Sequence, residues 1–113
     1  MRIKAINPNT NWDMTENIGA VANDHVADDT EVVAVSPERG PITIESFYDH
    51  FLVIPGLLEE IMKDEDEYDA FVVACWADSG IEACREVTDK PVVGIAEASL
   101  YVANMLGARY SVA

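Results

Sequence analysis

Asp69-Ala70-Phe71-Val72-Val73-Ala74-Cys75 is a short apolar run opened by an acid and closed by a thiol. A strand with one wet face alternates apolar and polar residues, whereas a parallel strand covered by helices on both sides stays apolar throughout. The run therefore predicts a central strand. Working outward, Ile3–Ile6, Glu31–Val35 and Val92–Ile95 read as three further short strands, with Pro37 closing the second of them. Helical spacing fills the gaps. Met14, Ile18, Val21, Ala22 and Val26 share one face, opened by Asp13 with Glu16 as a capping box. Ile44 to Met62 carries Phe47, Phe51, Leu52, Leu58 and Ile61, with Pro55-Gly56 expected to split it into two pieces. Asp78 to Val87 places Ile81, Cys84 and Val87 together, and Ala96 to Leu106 stops at Gly107. Such alternation predicts an α/β fold of three layers, α/β/α, with a parallel four-stranded sheet and right-handed crossovers; the expected strand order is 2-1-3-4.

The chain of 113 residues suffices for one domain. Its 7 basic against 21 acidic residues give a net charge of −14, which repels phosphate backbones and anionic membrane surfaces and so excludes nucleic acid and membrane as partners. The acidic run from Glu59 to Asp69 holds no glycine, so it reads as a solvated helix end and not as a calcium loop. Neither a signal-peptide pattern nor an apolar run of about 20 residues occurs, and the expectation is a cytoplasmic protein. Cys75 and Cys84 match no zinc or redox spacing, and Gly-x-Gly-x-x-Gly and Gly-Lys-Thr are missing, so neither a metal nor a nucleotide cofactor is expected.

In an open parallel sheet ligands bind beyond the carboxyl ends of the strands, where the direction of connection reverses. Two loops sit at such ends: Asn7-Pro8-Asn9-Thr10-Asn11 after the first strand and Cys75-Trp76-Ala77-Asp78-Ser79-Gly80 after the third. The first also suits a polar turn that caps the following helix. Cys75, read as the last strand residue directly before a helix start, would have its thiolate favoured by the free amides there. Cys84, on an apolar helix face, reads as an inert core residue. His25 and His50 read as isolated surface histidines.

Ile6-Asn7-Pro8-Asn9-Thr10, Met14-Thr15, Gly40-Pro41-Ile42-Thr43-Ile44-Glu45-Ser46, Val73-Ala74-Cys75 and Val93-Gly94-Ile95-Ala96-Glu97-Ala98 follow one another in order. Together they resemble the aspartate/glutamate/hydantoin racemase superfamily, and most of all its hydantoin and allantoin racemases. The resemblance implies two similar α/β halves facing each other across a small-molecule substrate, each supplying one cysteine, with no cofactor. Only the first half is matched. Residues 1–108 would form that half and residues 109–113 would open the first strand of the second, so the chain reads as truncated. By the same comparison Cys75 is the first-half catalytic cysteine, with Asn7, Asn9, Thr10, Thr43, Ser79 and Gly80 binding substrate. Trp76 and Ala77 depart from the phenylalanine and glycine common in the family, so substrate preference does not carry over.

Racemising a carbon next to a carbonyl needs bases on both faces. The implied mechanism gives one face to Cys75, while Asn9 and the amides around Ser79 and Gly80 stabilise charge on the carbonyl oxygen. The alternatives are an aspartate or glutamate racemase half, a maleate isomerase half, or a non-catalytic flavodoxin-like binding module. Against the last, a receiver module would carry acids where Asn7 and Asn9 stand. Leu100, Val102, Met105, Leu106 and the unfinished strand Arg109 to Ala113 would miss some of their partners in a lone half, which leads to the expectation of a homo-oligomer.

Overall fold

The computed structural model describes residues 1–112. Four strands, β1 (Arg2–Ile6), β2 (Glu31–Val35), β3 (Ala70–Val73) and β4 (Val92–Gly94), alternate with helices α1 (Trp12–Asn23), α2 (Phe47–Met62), α3 (Ile81–Glu86) and α4 (Ile95–Leu106). The sheet order is β2-β1-β3-β4 and every pairing is parallel, as the sequence predicts. Chain direction across the sheet reverses between β1 and β3, whose register pairs Ile6 with Val73, so the loops after these strands leave side by side.

Alternation along the strands sorts their side chains. Ile6, Phe71, Val73 and Val92 point to the face covered by α2 and α3, where they pack with Leu57, Ile61, Ile81 and Cys84 in the main core. On the opposite face Gly19 of α1 lies close to Ala34, near enough that a Cβ at Gly19 would stand 3.0 Å from the Ala34 methyl. That face is more thinly covered, and Val93 remains 41% exposed. The apolar run of β3 is thus fully buried on one side and half-buried at Val72 on the other.

Several expectations need correction. Helix α1 is capped by Asn11, whose side chain accepts from the Met14 amide, and not by an Asp13 and Glu16 box. Its buried residue is Thr15, while Met14 and Val21 are exposed. Helix α2 runs unbroken through Pro55, starting at Phe47 under a capping box between Ser46 and Asp49. Proline costs one backbone bond, and tertiary packing outweighs it here: Val53, Leu57, Glu60 and Ile61 are buried, and Gly56 lets the helix approach Pro37 so closely that a Cβ would meet the ring at 2.8 Å. Phe47, Phe51 and Leu52 lie on the exposed side. Nor is the acidic run wholly solvated. Lys4, 1% exposed, reaches from β1 to the Glu60 carbonyl and Asp64, each at 2.5 Å, and its ammonium lies 3.4 Å from Glu60 Oε2. A buried ammonium needs such compensation. Residues 109–112 pair with no strand, and the last residue of the strand expected at 109–113 lies outside the described residues. No described helix is long and apolar enough to cross a membrane.

Candidate active site

The loop from β1 into α1 is held by its own amide side chains. Asn7, 1% exposed, donates through Nδ2 to Asn9 Oδ1 at 2.8 Å and to Thr15 Oγ1 at 3.0 Å. Asn9 Oδ1 also accepts from the Asn11 amide at 2.9 Å, and Thr15 hydrogen-bonds Ser36 at the end of β2. Asn7 is therefore a tie within the loop. Asn9 differs, because its Nδ2 meets only the Met14 sulfur at 3.6 Å among the described contacts, a weak partner that leaves a strong donor for a ligand. Thr10 joins this loop to the one after β2, its amide donating to the Pro41 carbonyl at 3.0 Å and its hydroxyl reaching the Gly40 carbonyl at 3.5 Å. Thr43 is exposed in that second loop.

The loop from β3 into α3 carries Cys75. Its thiol is half-buried and packs against the main core. The helix start expected beside it is absent: α3 begins at Ile81, and Ala74 to Gly80 intervene. Ser79 is buried, and its hydroxyl is bonded at 2.5 Å to Nδ1 of His50 in the first turn of α2. His50 is thus a part-buried member of the site and not an isolated surface residue. Sequence spacing gave no signal for it, since 29 residues separate the pair. Gly80 has φ +73°, a left-handed conformation natural to glycine, and it lies against Ile54, where a Cβ would meet Cγ1 at 2.9 Å. Beside it Phe47, His50, Phe51 and Ile54 form a shallow, mostly apolar cavity of about 320 Å³.

Asp78 also went unassigned in the sequence. It spends its carboxylate on the start of α4, accepting from the Ala96 and Glu97 amides at 3.1 and 2.7 Å. Cys84 is fully buried, and desolvation raises its thiol to about 11, which suits the inert role expected of it. Among the described residues no three His, Cys, Asp or Glu side chains are grouped so as to hold a metal ion. The arrangement offers one accessible thiol, one amide donor from Asn9 and a small apolar hollow, all at the carboxyl end of β1 and β3.

Residues 3–113 match the Asp/Glu/Hydantoin racemase family. The chain belongs to this family. It is 60% identical over 113 residues to a hydantoin racemase of Pseudomonas sp. (strain NS671), covering 99% of this chain and 45% of that protein. A hydantoin racemase of Paenarthrobacter aurescens is 41% identical over 114 residues, covering 99% of this chain and 48% of its own length. Among solved structures, the allantoin racemase from Klebsiella pneumoniae superposes with a TM-score of 0.90 at 42% identity, over 93% of this chain and 43% of that one. The allantoin racemase from Pseudomonas fluorescens superposes with a TM-score of 0.93 at 31% identity, over 97% and 47%. This racemase-family chain spans about half the length of the curated relatives it matches.

Proposed function

We propose that residues 1–108 are the first half of a cofactor-independent racemase acting on hydantoin, allantoin or a related amino-acid derivative, with residues 109–113 opening the second half. Cys75 exchanges the proton on one face of the carbon next to a carbonyl, and a cysteine of the second half serves the other face. Asn9 Nδ2 stabilises charge growing on the carbonyl oxygen, with the amides around Ser79 and Gly80 and the side chains of Thr10 and Thr43 at the rim. Asn7 and the Ser79 hydroxyl act indirectly, by holding the two loops. The single observation that carries the reading is the pairing of Ile6 with Val73, which brings the Asn9 donor and the Cys75 thiol to the same end of the sheet. The 60% identity to a hydantoin racemase supports the substrate class.

Alone, the chain lacks the second base and should leave the optical rotation of a hydantoin unchanged. Its exposed Val102, Met105 and Leu106 support self-association in that state. Fusing the chain to the C-terminal half of the Pseudomonas sp. relative should restore racemisation, followed by polarimetry. Cys75→Ser should then lower the rate about a hundredfold or more, the scale of a lost acid–base group. A folded, active fusion indifferent to Cys75→Ser would overturn the assignment.

A further inference from the structure

We infer that Asp78 and Gly94 form a lock that positions the Cys75 loop, so that Asp78 is a positioning residue; its importance for catalysis rests on the proton-transfer reading of Cys75. Helix α4 follows β4 without a connecting loop, and its N-cap is Gly94, which has no side chain to accept from the first-turn amides. The missing acceptor arrives from another loop. Asp78 Oδ1 takes the Ala96 amide and Oδ2 the Glu97 amide, across 18 and 19 residues of sequence. A carboxylate at a helix N-terminus gains from both the bonds and the dipole.

Two departures from ordinary backbone and side-chain choice make the lock specific. Asp78 has φ +46°, the one non-glycine with positive φ among the described residues. Left-handed backbone is costly for most residues and tolerated best by Asn and Asp, and such strain persists where the surroundings over-determine it. Gly94 is the matching half. A Cβ there would stand 2.6 Å from Asp78 Oδ2 and nearer still to Oδ1 and the carboxyl carbon, so any side chain evicts the carboxylate. Glu97 closes the other side by accepting from the Gly94 amide at 3.2 Å and pairing with Arg85, and the backbone bond holds its carboxyl below the usual range.

The constraint reaches the thiol through one turn of chain. The Asp78 amide donates to the Cys75 carbonyl at 3.0 Å, so fixing Asp78 fixes the backbone of Cys75. An acid three residues from a catalytic cysteine would otherwise be an obvious proton partner. Here both of its oxygens are committed to α4, which leaves it a structural task within the site.

The test uses the whole 113-residue chain, with iodoacetamide labelling of Cys75 as the loop readout and labelling of fully buried Cys84 as the reporter of unfolding. Asp78→Ala and Gly94→Ala should each speed Cys75 labelling about fivefold or more while Cys84 stays protected, the scale of local opening when charge-assisted bonds are lost. The amide resonances of Ala96 and Glu97 should shift in the same variants. Asp78→Asn keeps one acceptor oxygen and tolerates the left-handed backbone, but it loses the charge and its NH2 faces the second amide, so its labelling rate should lie between those of the parent and Asp78→Ala. An unchanged labelling rate and unshifted amides in Gly94→Ala would overturn the lock, as would an Asp78→Ala variant that labels at the parent's rate with its Ala96 and Glu97 amides unshifted. Should Gly94→Ala unfold, seen as free labelling of Cys84, the two Asp78 variants decide by the same criteria because they add no bulk. A parent chain whose Cys75 labels no faster than Cys84 defeats the proton-transfer reading instead, and the lock then stands or falls on the Ala96 and Glu97 amides.

Discussion

In the loop after β1, Asn7 bonds Asn9 and Thr15, two and eight residues away, whereas in the loop after β3 the bonds run from Asp78 to Ala96 and Glu97 and from Ser79 to His50, 18 to 29 residues away. The first loop is therefore built mainly from its own sequence, with Thr15 to Ser36 and Thr10 to Pro41 as its longer ties. The second has its shape imposed by α2 and α4. A self-bonded loop should depend on the stability of the whole domain. One held by its neighbours can be released without unfolding the rest, and that loop carries the thiol.

The comparison is open to direct attack. Asn7→Ala strips a buried amide from several partners and should cost on the order of 3 kcal/mol of global stability in urea. Cys75 labelling in the folded state should stay within about twofold. A large change in labelling without loss of stability would show that the first loop, too, is held from outside. Alkaline pH separates the regions next. Cys84, behind the second loop on α3, has its thiol raised from 9.0 to about 11 by burial, so its neutral form stabilises the fold below about 9 and that contribution fades as pH rises through about 11. The loss should approach roughly 2 kcal/mol and disappear in Cys84→Ala, compared by unfolding midpoints at the two ends of that range.

His50→Ala should cost about 1 kcal/mol, since it removes one part-buried hydrogen bond, yet it should speed Cys75 labelling by freeing Ser79. A stability loss with no change in labelling would mean that α2 does not hold the loop. Thr43→Ala, at an exposed position, should move stability by less than about 0.5 kcal/mol and leave labelling alone.

The same contrast explains what could be read in advance. Asn7 and Asn9 were legible as a polar turn because their partners are close in sequence, although which amide is tied and which has a weakly bonded donor was not, and the ties of Thr10 to Gly40 and Pro41 gave no local signal. Cys75 was legible as a thiol near the carboxyl end of β3, but the strand stops at Val73, two residues short of it, and the helix start supposed to adjoin it begins only at Ile81. Asp78 and Gly94 stood in motifs without a visible purpose, since neither an acid nor a glycine announces a partner across 16 residues. His50 looked isolated for the same reason. Pro55 misled because propensity weighs one lost backbone bond and cannot weigh the burial of Val53, Leu57 and Ile61 around it.

By itself the sequence determined the α/β class and the parallel sheet, because periodicity, strand length and turn residues act over a few positions and strands alternating with helices pair in parallel. Tertiary structure alone decided that α2 continues through its proline, that Lys4 is buried against Glu60 and Asp64, and that the Cys75 loop is anchored to α4 and α2. Those outcomes depend on side chains brought together by the crossovers. Their energies arise from burial and from pairings between residues that are distant along the chain.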